Sequence, residues 1–296
     1  MSASRARVTC WGVRGTCPSP GARTVRYGGN TSCVDVQLAN GARVILDAGT
    51  GIRALGQSLP AAAPSVAGAR PVIAVVLTHR HSDHVIGLAH FAPIITRSHH
   101  VRMACGGVDA VSLRALVDQQ LSAPLFPTLA GITDALSVDA FDADGVFHLD
   151  DSCTVHTLPA RHPGGASVLR VDDAAGAVMA FAPDNELSYA DDDSRVTAWR
   201  AELALSLRGI PVLLHDATYT NEELSAHRGW GHSSAEEATR FAMECGAGTL
   251  LLTHHHPDRT DDEVDAMEAR CREIVANAGA ELRVAAATEG EVLAVV

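Results

Sequence analysis

Thr78-His79-Arg80-His81-Ser82-Asp83-His84 follows directly on the apolar run Val72–Leu77 and packs three imidazoles and a carboxylate behind a single strand end. A buried strand that ends in a loop and opens a helix sends His79 and His81 to one side and carries Asp83 and His84 round the turn. Two adjacent metal positions can be supplied from that one corner. Neutral imidazole and ionised carboxylate are ligands for Zn²⁺, Mn²⁺ and Fe, and a hydrolytic site keeps one coordination position open for water. A merely solvated, His-rich loop would not be matched by later segments offering the ligands it lacks, and here they do.

Composition narrows the chemistry. The chain has 296 residues and no Pro/Gly/Ser-rich linker, so residues 1–296 read as a single domain. A hydrophobic share of 47% is ample for a two-sided core. The longest apolar runs are far shorter than the ~20 residues of a membrane span. Met-Ser-Ala-Ser-Arg-Ala-Arg opens the chain with no apolar stretch behind it, which is not the pattern of a secretory signal. The expectation is a cytoplasmic protein with no membrane contact. Cys10, Cys17, Cys33, Cys105, Cys153, Cys245 and Cys271 include no C-x-x-C pair, and most read as small buried apolar residues in preference to a second metal cluster of Cys10, Cys17 and Cys33. Every basic residue is arginine, which excludes Schiff-base lysines, the S-x-x-K acylation machinery and the P-loop lysine. A net charge of −12 argues against a broad grip on a nucleic-acid backbone. A small-molecule substrate fits better, and a homodimer is an admissible assembly.

Residues 7–11 and 32–39 read as strands, with Asn40-Gly41 as a hairpin turn into Arg43–Leu46. Asp47-Ala48-Gly49-Thr50-Gly51 is a tight strand-to-helix connection in preference to a phosphate loop. A short helix is expected over 84–91, a strand over 101–105, a helix over 108–120, and strands over 154–158, 167–171, 178–181 and 211–215. Ser233-Ser234-Ala235-Glu236 and Thr260-Asp261-Asp262-Glu263 carry the capping-box pattern before amphipathic stretches closed by Gly246 and Gly279. Thr249–Thr253 is a buried strand between those helices, and 282–287 with 292–296 looks like a terminal hairpin turned at Glu289-Gly290. Strand-rich blocks with helices in each half predict an α/β (α+β) fold with two sheets face to face and helices outside, a four-layer αββα sandwich.

Three later strand ends repeat the design of the first. His162 follows the strand at 154–158, where a loop can present it to a metal. Asp184 follows 178–181 and has two oxygens with which to bridge two cations, and His254 follows Thr249–Thr253 with His255 and His256 beside it as substitutes. His90, His99, His100, His148, His156 and His227 lack ligand-like spacing and read as structural or solvated. His215 reads as a satisfied core imidazole.

H-x-H-x-D-H, then a later His, an Asp, and a final His after an apolar strand, resembles the metallo-β-lactamase fold hydrolases. Within them it is similar to the phosphodiesterase branch, which holds the tRNA 3′-processing ribonuclease Z enzymes and the cyclic-phosphate phosphodiesterase of phosphonate breakdown. The resemblance runs from Trp11-Gly12-Val13-Arg14-Gly15 to the His254 strand. It implies that His79, His81 and His162 hold one metal, that Asp83, His84 and His254 hold the other, and that Asp184 bridges. His215-Asp216-Ala217-Thr218 resembles the ribonuclease Z H-E-A-T element with Asp in place of Glu, and Gly231-His232-Ser233-Ser234 resembles its G-H-S-[ST] element. In that family the carboxylate orients the histidine, which contacts the scissile phosphate and protonates the leaving oxygen. Asp216 and His232 therefore join Asp83 as catalytic candidates, with the shorter Asp arm leaving the pairing to be tested.

Two divalent cations about 3.5–4 Å apart, zinc first and manganese or iron otherwise, would hold a bridging hydroxide as nucleophile. Arg14, Arg161 and Arg228 are the candidates for phosphate contact. Ribonuclease Z carries a long substrate-binding arm between its third His and the bridging Asp, whereas the segment from His162 to Asp184 has room only for a strand pair. A small cyclic or nucleotide phosphodiester is the expected substrate, and nucleic acid is not. Two other functions would use the same residues: a lactonase or other carboxylic ester or amide hydrolase, which needs no proton donor at His232, and a non-catalytic metal-binding sensor.

Overall fold

The computed structural model describes residues 5–60, 70–127, 131–188 and 194–295. The first half runs β1 (Ala6–Gly12), β2 (Cys33–Leu38), β3 (Arg43–Leu46), α1 (Ile52–Ser58), β4 (Val72–Leu77), α2 (Ala92–Ile95), β5 (His100–Cys105), α3 (Ala110–Gln120) and β6 (Leu136–Val138). The second runs β7 (Val146–Asp150), β8 (Cys153–Ala160), β9 (Ala166–Asp173), β10 (Gly176–Ala182), α4 (Ser194–Ser206), β11 (Val212–Asp216), α5 (Asn221–Leu224), α6 (Ala235–Cys245), β12 (Thr249–Thr253), α7 (Asp261–Ala278), β13 (Arg283–Ala286) and β14 (Val292–Val295). These strands form two seven-stranded sheets, ordered β14-β1-β2-β3-β4-β5-β6 and β13-β12-β11-β10-β9-β8-β7. In both, antiparallel pairing gives way to parallel pairing partway across, at β3–β4 in one and β10–β11 in the other.

Alternation along the strands explains the layering. In β4, Ile73, Val75 and Leu77 join one apolar cluster while Ala74 and Val76 join another. A strand buried on both faces must lie between two apolar layers. The layer between the sheets includes Val8, Val36 and Leu46 from one sheet and Phe147, Val171 and Leu214 from the other. Ile52 and Leu55 of α1, Ile94 of α2 and Leu113 of α3 cover the outer face of the first sheet. Leu203 of α4, Phe241 of α6 and Cys271 of α7 cover the outer face of the second. Helix, sheet, sheet, helix is the αββα sandwich of the metallo-β-lactamase type.

Three local expectations are corrected. Residues 84–91 form no helix but two 3-10 turns, Ser82–His84 and Leu88–His90. The backbone bonds that would propagate a helix go instead to the 47–51 turn, where Ala48 N donates to His84 O at 2.7 Å and Gly87 N to Ala48 O at 2.9 Å. No terminal hairpin forms: β13 pairs with β12 in the second sheet, and β14 crosses to pair with β1 in the first. The connecting residues explain the crossing, because Glu289 N donates to Tyr27 O and Gly290 N to Cys10 O, both in the first half of the chain. Val296, which the sequence reading placed at the strand end, lies outside the described residues. Helix α6 starts one residue later than the Ser233 box implies: Ser234 caps Glu237 N, because the Ser233 hydroxyl is engaged by Asn185 O and Leu187 N. Thr260 and Glu263 do form the reciprocal capping box, and Gly246 and Gly279 close α6 and α7 in the left-handed conformation. The Asn40-Gly41 hairpin joins β2 to β3.

The site is placed by strand ends. β3, β4, β8, β10, β11 and β12 bring Asp47, His79 to His84, His162, Asp184, Asp216 and His254 to one edge of the sandwich. Loops beyond the carboxyl ends of parallel strands are where open α/β sheets bind ligands, and here two such edges face each other. No helix among the described residues is long and apolar enough to cross a membrane.

Candidate metal centre

The seven proposed ligands converge. Ligand atoms of His79, His81, His162 and Asp184 lie within 4.8 Å of one another, and so do those of Asp83, His84 and His254. Asp184 stands between the two groups. Its Oδ2 is 3.4 Å from His162 Nε2 and 3.6 Å from His79 Nε2, and its Oδ1 is 3.1 Å from His84 Nε2 and 3.2 Å from His254 Nε2. Asp83 Oδ2 meets His84 Nε2 at 3.2 Å and His254 Nε2 at 3.4 Å. His255 turns away to bond Ala287 O, so it does not substitute for His254. His215 is buried on Asn185, as a core imidazole.

For four of the five proposed histidine ligands the other nitrogen is spoken for. His162 Nδ1 donates to Gly231 O at 3.0 Å, His79 Nδ1 pairs with Thr78 Oγ1 at 3.0 Å, His254 Nδ1 with Thr218 Oγ1 at 3.0 Å, and His84 Nδ1 with Asp47 Oδ2 at 2.6 Å. Such outer contacts fix ring orientation and which nitrogen faces a metal. Asp47, Thr78 and Thr218 escape a reading of the sequence because Asp and Thr are ordinary turn residues there. Backbone strain marks Asp47 of these three: it is one of three non-glycine residues of positive φ at the site, Asp47 at 62°, His254 at 59° and Thr16 at 65°. Conformations of that kind persist where surroundings impose them, commonly at functional sites. Thr16 N donates to Asp83 Oδ2 at 2.8 Å. Gly15 and Gly231 are required by close approach, since a Cβ there would sit 2.2 Å from the His254 ring and 2.3 Å from His162 Nδ1.

The donor set fits divalent cations. His79 Nε2, His84 Nε2 and Asp184 Oδ1 are buried and make no hydrogen bond. Leaving such atoms unpaired costs about 1–3 kcal/mol each. Burial, together with the neighbouring His84, pulls His79 down to about 2, so its imidazole is neutral. Burial would lower His84 too, but the Asp184, Asp47 and Asp83 carboxylates outweigh it and hold His84 well above its ordinary value. Burial likewise opposes the charge on Asp184, and the His254 and His84 imidazoles overcome it, holding that carboxyl well below the usual range. The pocket thus favours positive charge where a cation would supply it. Nitrogen and oxygen donors without thiolate suit zinc, manganese or iron. Among the described residues no candidate ligand group contains a cysteine: Cys17 is exposed and Cys10 and Cys33 are buried, so the three do not form a site.

Asp47→Asn keeps the acceptor shape but removes the charge opposite His84. It is expected to weaken metal affinity about 10- to 100-fold, measured by competition with a chromogenic chelator. Unchanged affinity would show that Asp47 only shapes the turn.

Asp216 and His232 are paired despite the shorter carboxylate arm. His232 Nδ1 is 2.7 Å from Asp216 Oδ2, and the other Asp216 oxygen accepts from Thr218 N and Oγ1. Burial depresses His232, but the Asp216 carboxylate prevails and raises it to about 9. Its ring stacks 4.9 Å from His254 and lies 5.1 Å from His162, and it also falls within ligand distance of Asp184 and His254. One candidate for phosphate contact is corrected: Arg14 is fully buried, with its guanidinium on the carbonyls of Gly28, His256 and Arg259. Burial beneath the 28–30 and 255–259 segments makes it a structural strut. Arg161 lies over the Trp199 ring and bonds Glu186 O, and Arg228 bonds Ser188 Oγ.

Comparison with known proteins agrees with this fold. A family model for the β-lactamase superfamily domain matches residues 42–255. The ribonuclease Z of Bradyrhizobium diazoefficiens is 27% identical over 265 residues, covering 78% of this chain and 86% of that enzyme. A ribonuclease Z of Bacteroides fragilis is 30% identical over 87 residues, where the match spans 29% of this chain and only 27% of the relative. The metallo-β-lactamase fold protein YhfI from Bacillus subtilis superposes with a TM-score of 0.68 at 21% identity, covering 98% of this chain and 99% of that one. A diphosphatase from the PhnP family superposes with a TM-score of 0.61 at 16% identity, covering 97% and 96%. The two structural likenesses are likenesses of fold.

Proposed function

This chain belongs to the β-lactamase superfamily, and from that premise we propose that it is a metal-dependent hydrolase of phosphodiesters, with two divalent cations, zinc in the first instance, and a small-molecule substrate. The observation that carries the reading is the Asp216–His232 pair set against the His/Asp cluster. A carboxylate-held imidazole at that position can protonate a departing alkoxide, and the ribonuclease Z relatives favour phosphodiesters among the esters that release one. Cations at this site would withdraw charge from phosphoryl oxygens and acidify water.

The chain's own residues do the rest. His79, His81 and His162 would hold one cation and Asp83, His84 and His254 the other, with Asp184 shared. Asp216 fixes the His232 ring through Nδ1 and leaves Nε2 free to act. As water adds to phosphorus and the bond from phosphorus to the leaving oxygen breaks, His232 Nε2 passes its proton to that oxygen and an alcohol departs. A small substrate is favoured over tRNA because only β9 and β10 lie between His162 and Asp184, and the chain carries a net charge of −12.

Protein prepared without added metal, analysed for elements and then assayed on bis-p-nitrophenyl phosphate and a lactone panel, tests this reading. Two metal equivalents per chain and chelator-sensitive phosphodiester turnover are expected. Lactone turnover alone, or no more than one tightly held metal with no gain on adding Zn²⁺ or Mn²⁺, would overturn it.

A further inference from the structure

Against the metal corner lies a cavity of about 430 Å³, within the range of small-molecule sites. His79, Arg80, His81, Gly107, Leu116 and Ser167 are among the residues that line it. His162 separates this cavity from His232: its ring is 4.9 Å from His81 and 5.1 Å from His232. A substrate phosphate at the cluster that turns its leaving oxygen to His232 therefore has its retained ester group on the cavity side.

The charge of the cavity is at odds with that of the chain. The protein has 35 Asp and Glu residues against 23 arginines, yet among the described residues no carboxylate lines this cavity. Arg80 does line it. It is exposed, and its guanidinium has no hydrogen bond or ion pair among the described residues, whereas Arg14, Arg161 and Arg228 are all engaged. An unpaired guanidinium on a wall without acids is an oxyanion site, because its planar fork matches carboxylate and phosphate alike.

We propose that this cavity binds the retained ester group of the substrate, and that Arg80 pairs with a second oxyanion carried by that group. The proposal rests on the phosphodiesterase reading above and narrows it to acyclic phosphodiesters of a compact, anionic alcohol. In a cyclic diester the leaving and retained oxygens are tethered, and one small ring would have to reach both sides of His162. Leu116 gives the carbon chain an apolar wall, and Arg80 selects what the chain carries.

Two measurements on metal-loaded protein test it. In titration calorimetry, 2-phosphoglycolate and ethylene glycol bisphosphate are compared with ethyl phosphate. Arg80→Ala is expected to weaken the first two about tenfold or more and to leave ethyl phosphate unchanged, with Arg80→Lys restoring part of the loss. A larger loss for one of the two probes that carry a second oxyanion than for the other identifies carboxylate or phosphate as the preferred partner. In steady-state kinetics, p-nitrophenyl 2-carboxyethyl phosphate is compared with p-nitrophenyl ethyl phosphate. Arg80→Ala should raise KM about tenfold for the anionic ester alone, with kcat within about twofold. Equal effects on probes with and without the second oxyanion, or none in calorimetry, would overturn the assignment. If wild-type protein hydrolyses no phosphodiester, the functional reading fails, and the calorimetric comparison still decides what Arg80 binds.

Discussion

Asp184→Ala is expected to lower kcat on a phosphodiester by about 10³ and to remove at least one of the two metal equivalents at the same time. Asp184 is buried and faces four imidazoles: His79 and His162 through Oδ2, His84 and His254 through Oδ1. Its removal deprives both proposed cation positions of their shared anionic ligand. Metal-based charge stabilisation is worth several kcal/mol in the transition state, and each 1.36 kcal/mol is tenfold in rate. Elemental analysis and kinetics on the same preparation check the result. Full metal content with unchanged turnover would show that the two ligand groups act independently. Asp184→Asn separates charge from shape, since it keeps an oxygen donor and loses the anion; a loss nearly as large would locate the effect in charge.

Much of this arrangement was legible in the chain because its candidate ligands obey one rule, that a polar residue stands just past an apolar strand. His79, His162, Asp184 and His254 all satisfy it. The four-layer fold was readable from strand-rich blocks with helices in each half, and the run Val72–Leu77, buried from Ile73 on, has the character of a strand between two apolar layers. What escaped were the features fixed by tertiary contacts. Residues 84–91 have the composition of a short helix, but their backbone groups are claimed by Ala48. The last two strands have the spacing of a hairpin, yet a turn at Glu289-Gly290 serves equally well to carry the chain from one sheet to the other. Asp47 was read as part of a tight turn, which it is, while the direction of its carboxylate toward His84 depends on β3 and β4 being neighbours. The same dependence hid the role of Ser233, whose hydroxyl serves residues 185 to 187 and so moves the helix cap to Ser234. Arg14 failed for the opposite reason. A charged residue in a Gly-flanked segment suggests a ligand contact, and only the structure shows the backbone carbonyls that consume its donors.

His232→Ala is expected to lower kcat by about 10²–10⁴ on a phosphodiester with an alkoxide leaving group, while metal content stays unchanged. The magnitude follows from losing a positioned proton donor, and the geometry that positions it is the 2.7 Å contact to Asp216 on one side and the His/Asp cluster on the other. A p-nitrophenolate departs with little help from a proton, so the loss should shrink when that group replaces the alkoxide. Asp216→Ala should act in the same direction but more weakly, because it removes orientation and charge stabilisation and leaves the proton-bearing ring in place. The comparison of leaving groups is what distinguishes the roles open to this residue. Equal losses for good and poor leaving groups would make His232 a phosphate-binding group. Loss of metal along with activity would make it a ligand beside Asp184 and His254, the alternative its position also permits. If neither rate nor metal content changes, the Asp216–His232 pair is structural, and the leaving oxygen departs without a proton from this residue.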